Sequence, residues 1–186
     1  MLILASGSPR RRELLTQIGV AFQVFVSDAE ECQQAATPAE LVVINARAKA
    51  LAVAAQYPQE LVLGADTVVA LDGQIFGKPR DAADAARMLT QLQGRNHEVV
   101  TGLALVRDGQ VYTDAVSTTV TFAPMTPAQI DAYAATGEPL DKAGAYAVQG
   151  RAAAYIERID GSYSNVVGLP LRALCVLAER AGIKLL

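Results

Sequence analysis

Short apolar runs and apolar stripes at helical spacing follow one another along the chain, punctuated by glycine and proline. "LILA" (Leu2 to Ala5) predicts a strand; after a Ser/Gly/Pro turn, Leu14, Leu15 and Ile18 line one side of a helix that Gly19 ends. "FQVFV" (Phe22 to Val26) alternates as a strand does. Thr37 with Glu40 three residues on predicts a capping box ahead of a long helix, whose apolar stripe is read as Leu41, Ile44, Ala48 and Leu51.

"LVLGADTVVAL" (Leu61 to Leu71) is nearly continuous in apolar residues, the mark of a buried strand, and Asp72-Gly73 turns it back. "DAADAARMLTQLQG" predicts a capped helix that stops at Gly94, and "HEVVTGLALVR" with "QVYTDAVSTTVTF" forms a long antiparallel hairpin across Asp108-Gly109. Thr126 with Gln129 caps a further helix, a strand is expected near "AAYIERI", and a closing helix runs from about Leu171 to Ala181. Strands outnumber the connections suited to crossover helices. The expected fold is therefore α/β, a single domain over residues 1–186 with a twisted mixed β-sheet flanked by helices.

Composition narrows the function classes. With 186 residues and 52% hydrophobic content the chain can bury one sizeable core. A net charge of -3, 5% aromatic content and no like-charge run longer than Arg10 to Arg12 leave no broad nucleic-acid footprint. No apolar stretch approaches bilayer-spanning length and the first ten residues lack the order of a secretory signal, so a soluble, cytoplasmic protein is expected, with no membrane partner. Cys32 and Cys175 are far apart and suggest neither a disulfide framework nor a CxxC site.

The three arginines pose an electrostatic question. They fall at the first turn of a helix, where the dipole already places roughly half a positive charge. In Ser6-Gly7-Ser8-Pro9-Arg10-Arg11, Pro9 suits the first helical position, Ser8 the N-cap, and the small residues let an anion approach backbone N–H groups, so the stretch favours phosphate. Arg11 shares the face of Leu14 and Leu15 and should point toward the sheet. A surface cluster paired with Glu13 is the competing reading. Neither a Walker A loop nor a GxGxxG string is present.

Asp66 interrupts an otherwise apolar strand, and a buried carboxylate needs a cation, a metal or strong hydrogen-bond donors. It is the catalytic candidate; the alternative is a structural Asp satisfied by backbone donors where the strand bends at Gly64. Of the four lysines, Lys78 sits in "FGKPRD" and Lys142 in "LDKAGAY", both turn segments. Lys49 follows Arg47 by about 200° of helix rotation, so only one of the two can face a given cleft, and for Lys49 alone a solvated helix face fits as well. Glu30 and Glu31 could join Asp66 as oxygen ligands of a hard cation such as Mg2+, while their spacing equally fits a solvated pair. The single histidine, His97, is read as structural; no zinc site and no Ser-His-Asp or Cys-His constellation is present. Cations for phosphate, carboxylates for a metal and no strong nucleophile together suggest metal-assisted hydrolysis of a phosphoanhydride by water.

The strings "LASGSPRRREL", "EE", "ARAKA", "GADTVV", "GKP", "DKAGAYAVQG" and "GSYSNVVGLPL" occur in order across the whole chain. In them the sequence resembles the Maf family of nucleoside triphosphate pyrophosphatases, once described as septum-formation inhibitors. The resemblance implies a fold like that of inosine triphosphate pyrophosphatases (Maf/Ham1-like) and conversion of a nucleoside triphosphate to monophosphate and pyrophosphate with a divalent cation, Mg2+ or Mn2+. It implies Asp66 as proton acceptor for the attacking water, Ser6, Arg10, Arg11, Lys49 and Lys78 around the triphosphate, and Glu30 or Glu31 with Asp66 near the metal.

Arg10, Thr67 and Gln149 match the positions that separate subgroups, and this combination resembles the dTTP/UTP group; a sister group acting on 7-methyl-GTP carries other residues at all three. A neutral amide at Gln149 can donate and accept at one edge of uracil or thymine. Arg12 has no implied role and reads as solvated. Family members are often dimers, so a homodimer is an expectation. A nucleotide-binding regulator of cell division is the non-enzymatic alternative.

Overall fold

The computed structural model describes residues 1–186. The chain forms seven strands and six helices: β1 (Leu2–Leu4), α1 (Pro9–Gln17), β2 (Phe22–Val24), α2 (Pro38–Ala54), β3 (Leu61–Leu71), β4 (Gln74–Phe76), α3 (Ala82–Leu92), β5 (Asn96–Arg107), β6 (Gln110–Phe122), α4 (Pro127–Ala134), β7 (Ile156–Asp160), α5 (Tyr163–Val167) and α6 (Leu171–Arg180). One sheet holds all the strands in the order β2-β1-β3-β5-β6-β7, with β4 also paired to β3. It is mixed: β1 runs parallel to β2 and β3, whereas β4 is antiparallel to β3 and β7 to β6. The expected α/β class with a mixed sheet is what the chain forms.

The chain divides into two compact units. The first comprises Met1–Thr67, Thr101–Val116 and Gly168–Leu186; the second comprises Val68–Val100 and Ser117–Val167. Strands β3, β5 and β6 contribute residues to both.

In the first unit Ile3, Ala5, Val62, Ala104 and Val106 of the sheet pack against Ala46, Ala50 and Val53 of α2. The helix lies so close that a Cβ at Gly64 would run into the Ala46 carbonyl, and one at Gly102 into the Val42 carbonyl. That close seating corrects the sequence reading of α2. Its buried face is Leu41, Val42, Asn45, Ala46, Ala50 and Val53, while Ile44 and Leu51 are exposed. The helix backbone comes down onto glycines of the sheet at Ala46 and Val42, and Ile44 and Leu51 sit outside that contact.

The N-termini also differ in detail from expectation. Thr37 caps α2 by accepting from the Glu40 N–H, but the Glu40 carboxylate reaches Ala36 N, one residue before the cap, so the box is not reciprocal. At α4 both halves of the Thr126–Gln129 box form. Ser8 occupies the N-cap of α1 without a side-chain cap bond, and its N–H instead donates to Ser6 Oγ at 3.3 Å. Strand β2 ends at Val24, short of Val26, which is exposed.

The second unit has its own core, with Val69, Phe76, Leu89, Leu92, Phe122, Ile130, Tyr133 and Tyr146 among its members. His97 is 2% exposed within it, hydrogen-bonded through Nε2 to the Tyr146 hydroxyl at 2.8 Å and edge-on to Phe122 and Tyr146. Burial pushes its imidazole down to about 4, so it is neutral at physiological pH, a structural histidine as expected. The two-residue turns at Asp72-Gly73 and Asp108-Gly109 have positive φ at both positions, as hairpin turns require. The five-residue helix α5 and the 3-10 turns at Glu138–Asp141, Ala143–Ala145 and Arg151–Tyr155 are additions to the predicted elements.

Candidate functional site

Polar side chains that the first unit buries gather around the middle of β3. Ser6, Arg11, Asn45, Asp66 and Thr101 are each at most 9% exposed. Arg11 reaches from the first turn of α1 into this cluster, as its helical face predicts. Its Nε donates to the Gly168 carbonyl (2.8 Å), Nη1 to Ser6 Oγ (3.0 Å) and the Ala65 carbonyl (2.9 Å), and Nη2 to Thr67 Oγ1 (3.1 Å). Thr67 Oγ1 in turn lies 2.9 Å from Thr101 Oγ1.

Four of the five guanidinium N–H groups are thus used within the chain, leaving at most one for an outside acceptor. Burial, only partly opposed by the Asp66 charge, pushes the Arg11 guanidinium down to about 10, and it remains a cation at neutral pH. Arg10, half-buried beside it, adds a second positive charge that Arg11 feels. Arg12 is exposed, in keeping with its solvated reading.

Asp66 is held by side chains, not by the backbone donors of the alternative reading. Lys49 Nζ stands 2.8 Å from Oδ1, and Asn45 Nδ2 donates to Oδ2 at 3.1 Å. Asn45 and Lys49 are one turn apart on α2, so a single helix face delivers both. Of the two cations on that helix, Lys49 is the one that turns inward; Arg47 is exposed.

Both acidic residues are exposed, and the contact that separates them is an ion pair: Glu31 Oε1 lies 2.6 Å from Lys49 Nζ, so Glu31 is the one that joins the cluster. The loop carrying Glu31 is tied down by Asn45, whose Oδ1 accepts from Cys32 N (2.7 Å) and whose Nδ2 donates to the Cys32 carbonyl (3.1 Å). Asn45 escaped the sequence reading because a lone Asn carries no motif. Its signal was a polar residue four positions before a lysine on a helix facing an acid-bearing strand.

The resemblance implies a divalent cation, and the donor set tests it. Asp66 and Glu31 converge on one cationic point, which the Lys49 ammonium fills, and every carboxylate donor there is oxygen. No group of three or more His, Cys, Asp or Glu side chains forms. Two carboxylates do not make an all-protein cage; they do fit an ion of the Mg2+ type, which keeps waters and takes ligands from substrate phosphates.

The remaining sequence candidates belong to the second unit. Lys78 is exposed between β4 and α3, and the Gly77 carbonyl before it accepts from Gly144 N at 3.1 Å, which joins "GKP" to "KAGAY". Gln149 is exposed in the turn before the Arg151–Tyr155 helix. Lys142 is structural, its Nζ donating to the Glu138 carbonyl at 2.8 Å.

The family model for Maf-like proteins matches residues 1–181. The chain belongs to the Maf family. Among its relatives, the dTTP/UTP pyrophosphatase of Gloeobacter violaceus is 58% identical over 96% of this chain and 95% of its own. That of Symbiobacterium thermophilum is 55% identical over 97% and 94%. The Staphylococcus aureus Ham1 protein aligns over 64% of this chain and 71% of its own, at 18% identity and a TM-score of 0.44; the fold assignment stands on the strand order and the Maf match without it. No helix of this Maf protein is long and apolar enough to cross a membrane.

Proposed function

We propose that this Maf protein hydrolyses dTTP and UTP to the monophosphate and pyrophosphate in the cytoplasm, by attack of water on the α-phosphorus. The observation that carries the reading is the setting of Asp66: a residue only 9% exposed, its carboxylate fixed at both oxygens by Lys49 and Asn45. The Arg11 guanidinium bonds to the residues on either side of it, Ala65 and Thr67. The relatives' names supply the substrates.

Asp66 accepts the proton of the attacking water as the new P–O bond forms. The bond from the α-phosphorus to the α-β bridging oxygen breaks, and pyrophosphate leaves with that oxygen. Lys49, Arg10 and Lys78 supply positive charge for the triphosphate, Ser6 a hydroxyl, and Arg11 chiefly its charge and its hold on the Asp66 strand. A divalent cation bound by Asp66 and Glu31 would neutralise charge on the phosphates. Arg10, Thr67 and Gln149 set the choice of base, with the Gln149 amide matched to the donor and acceptor edge of uracil or thymine.

A panel of nucleoside triphosphates with Mg2+ or Mn2+, resolving pyrophosphate from orthophosphate, tests the reading. Pyrophosphate from dTTP and UTP is the expected product. Orthophosphate as the first product, or no turnover of either nucleotide, would contradict it.

A further inference from the structure

Gln149 is exposed on a short turn, yet the backbone on both sides of it is anchored. The Ala147 N–H donates to the Tyr133 hydroxyl at 3.2 Å, and that hydroxyl donates to Glu138 Oε1 at 2.7 Å. The Glu138 carboxylate then accepts the Arg151 N–H at both oxygens, 3.1 and 3.2 Å away. Within the turn, Gly150 N closes onto the Ala147 carbonyl at 3.1 Å. Gly150 lies against the Glu138 carboxylate so closely that a Cβ would run into it.

The two anchors are themselves held. Tyr133, 4% exposed, belongs to the last turns of α4, whose first turn the Thr126–Gln129 box secures. Burial and the Glu138 acceptor push its phenol up, so it remains a hydrogen-bond donor over the working pH range. Glu138 is fixed through its own backbone, its N–H donating to Thr136 Oγ1 at 3.2 Å and its carbonyl accepting from Lys142 Nζ at 2.8 Å.

The relay therefore grips residues 147 and 151 and leaves the Gln149 side chain to face outward. Neither Tyr133 nor Glu138 is among the side chains bonded to Asp66, which are Asn45 and Lys49. We infer that Tyr133 and Glu138 are positioning residues for base selection, which hold the 147–151 turn so that the Gln149 amide is presented in one orientation. The inference rests on the reading of Gln149 as the base contact.

The test compares kcat and KM for UTP and for GTP, with Mg2+ supplied, in the wild type and in Tyr133→Phe, Glu138→Ala, Glu138→Gln and Gln149→Ala, with Tm followed in parallel. Tyr133→Phe and Glu138→Ala are expected to lower the UTP/GTP ratio of kcat/KM about tenfold, the scale of one lost hydrogen bond to a charged group. The loss should appear in KM for UTP with kcat held. Glu138→Gln, which keeps an acceptor for the Arg151 N–H, should restore the ratio. An unchanged ratio in Tyr133→Phe and Glu138→Ala beside a collapsed one in Gln149→Ala overturns the positioning role and leaves the base contact standing, and a fall in Tm alone counts the same way. An unchanged ratio in Gln149→Ala overturns the base contact and this inference with it.

Discussion

Lys49 Nζ lies 2.8 Å from Asp66 Oδ1, and both side chains are mostly buried, 15% and 13% exposed. An ion pair so placed is costly to break from one side, because the surviving charge is left without compensation. Lys49→Met is therefore expected to destabilise the protein by about 1–3 kcal/mol. The double variant Lys49→Met/Asp66→Asn should lose less than the sum of the single changes, measurable as a coupling in a double-mutant cycle by urea unfolding. Strict additivity would show that the pair is not coupled.

Asp66→Asn keeps the volume and an acceptor for Lys49 while removing the base. Pyrophosphate release should fall by about 10²- to 10⁴-fold, the range for loss of a general base, and Tm should fall with it, because Lys49 loses the charge that compensates it. A variant retaining more than a tenth of wild-type kcat would exclude Asp66 as the proton acceptor.

Asn45→Ala removes two bonds to Cys32 and one to Asp66 at once. A stability loss of about 1–3 kcal/mol is expected, together with faster amide hydrogen exchange at residues 28–36 and a lower kcat. Exchange unchanged in that loop would show that Asn45 does not tether it.

How much of this was legible in the sequence follows from local signals. The long strands β3, β5 and β6 and the two hairpin turns were readable, because continuous apolar runs and Asp-Gly pairs specify them locally. The inward face of Arg11 came from helical periodicity alone. The face of α2 did not, since it is set by Gly64 and Gly102 on strands distant in sequence, whose lack of side chains draws in Ala46 and Val42. Glu31 could not be told from Glu30 because the choice depends on Lys49 across a loop. The 3-10 turns around Gln149 carry no periodicity long enough to read.

His97 makes stability depend on pH. Its folded value of about 4 lies below the ordinary 6.5, so between those values the unfolded chain binds more protons and stability falls as pH falls. The contribution is fully present above pH 6.5; about 2 kcal/mol should be lost by pH 5 and about 3 kcal/mol below pH 4. In His97→Gln, which can still bond Tyr146, this part of the slope should vanish in urea titrations at pH 7 and pH 5. An equal slope in the variant would assign the dependence to other groups.

Hydrolysis of UTP in ¹⁸O-enriched water, with both products analysed by mass spectrometry, tests the central claim most directly. Attack on the α-phosphorus places the label in UMP and leaves pyrophosphate unlabelled. Label in pyrophosphate, or in orthophosphate released from the γ position, would contradict the account.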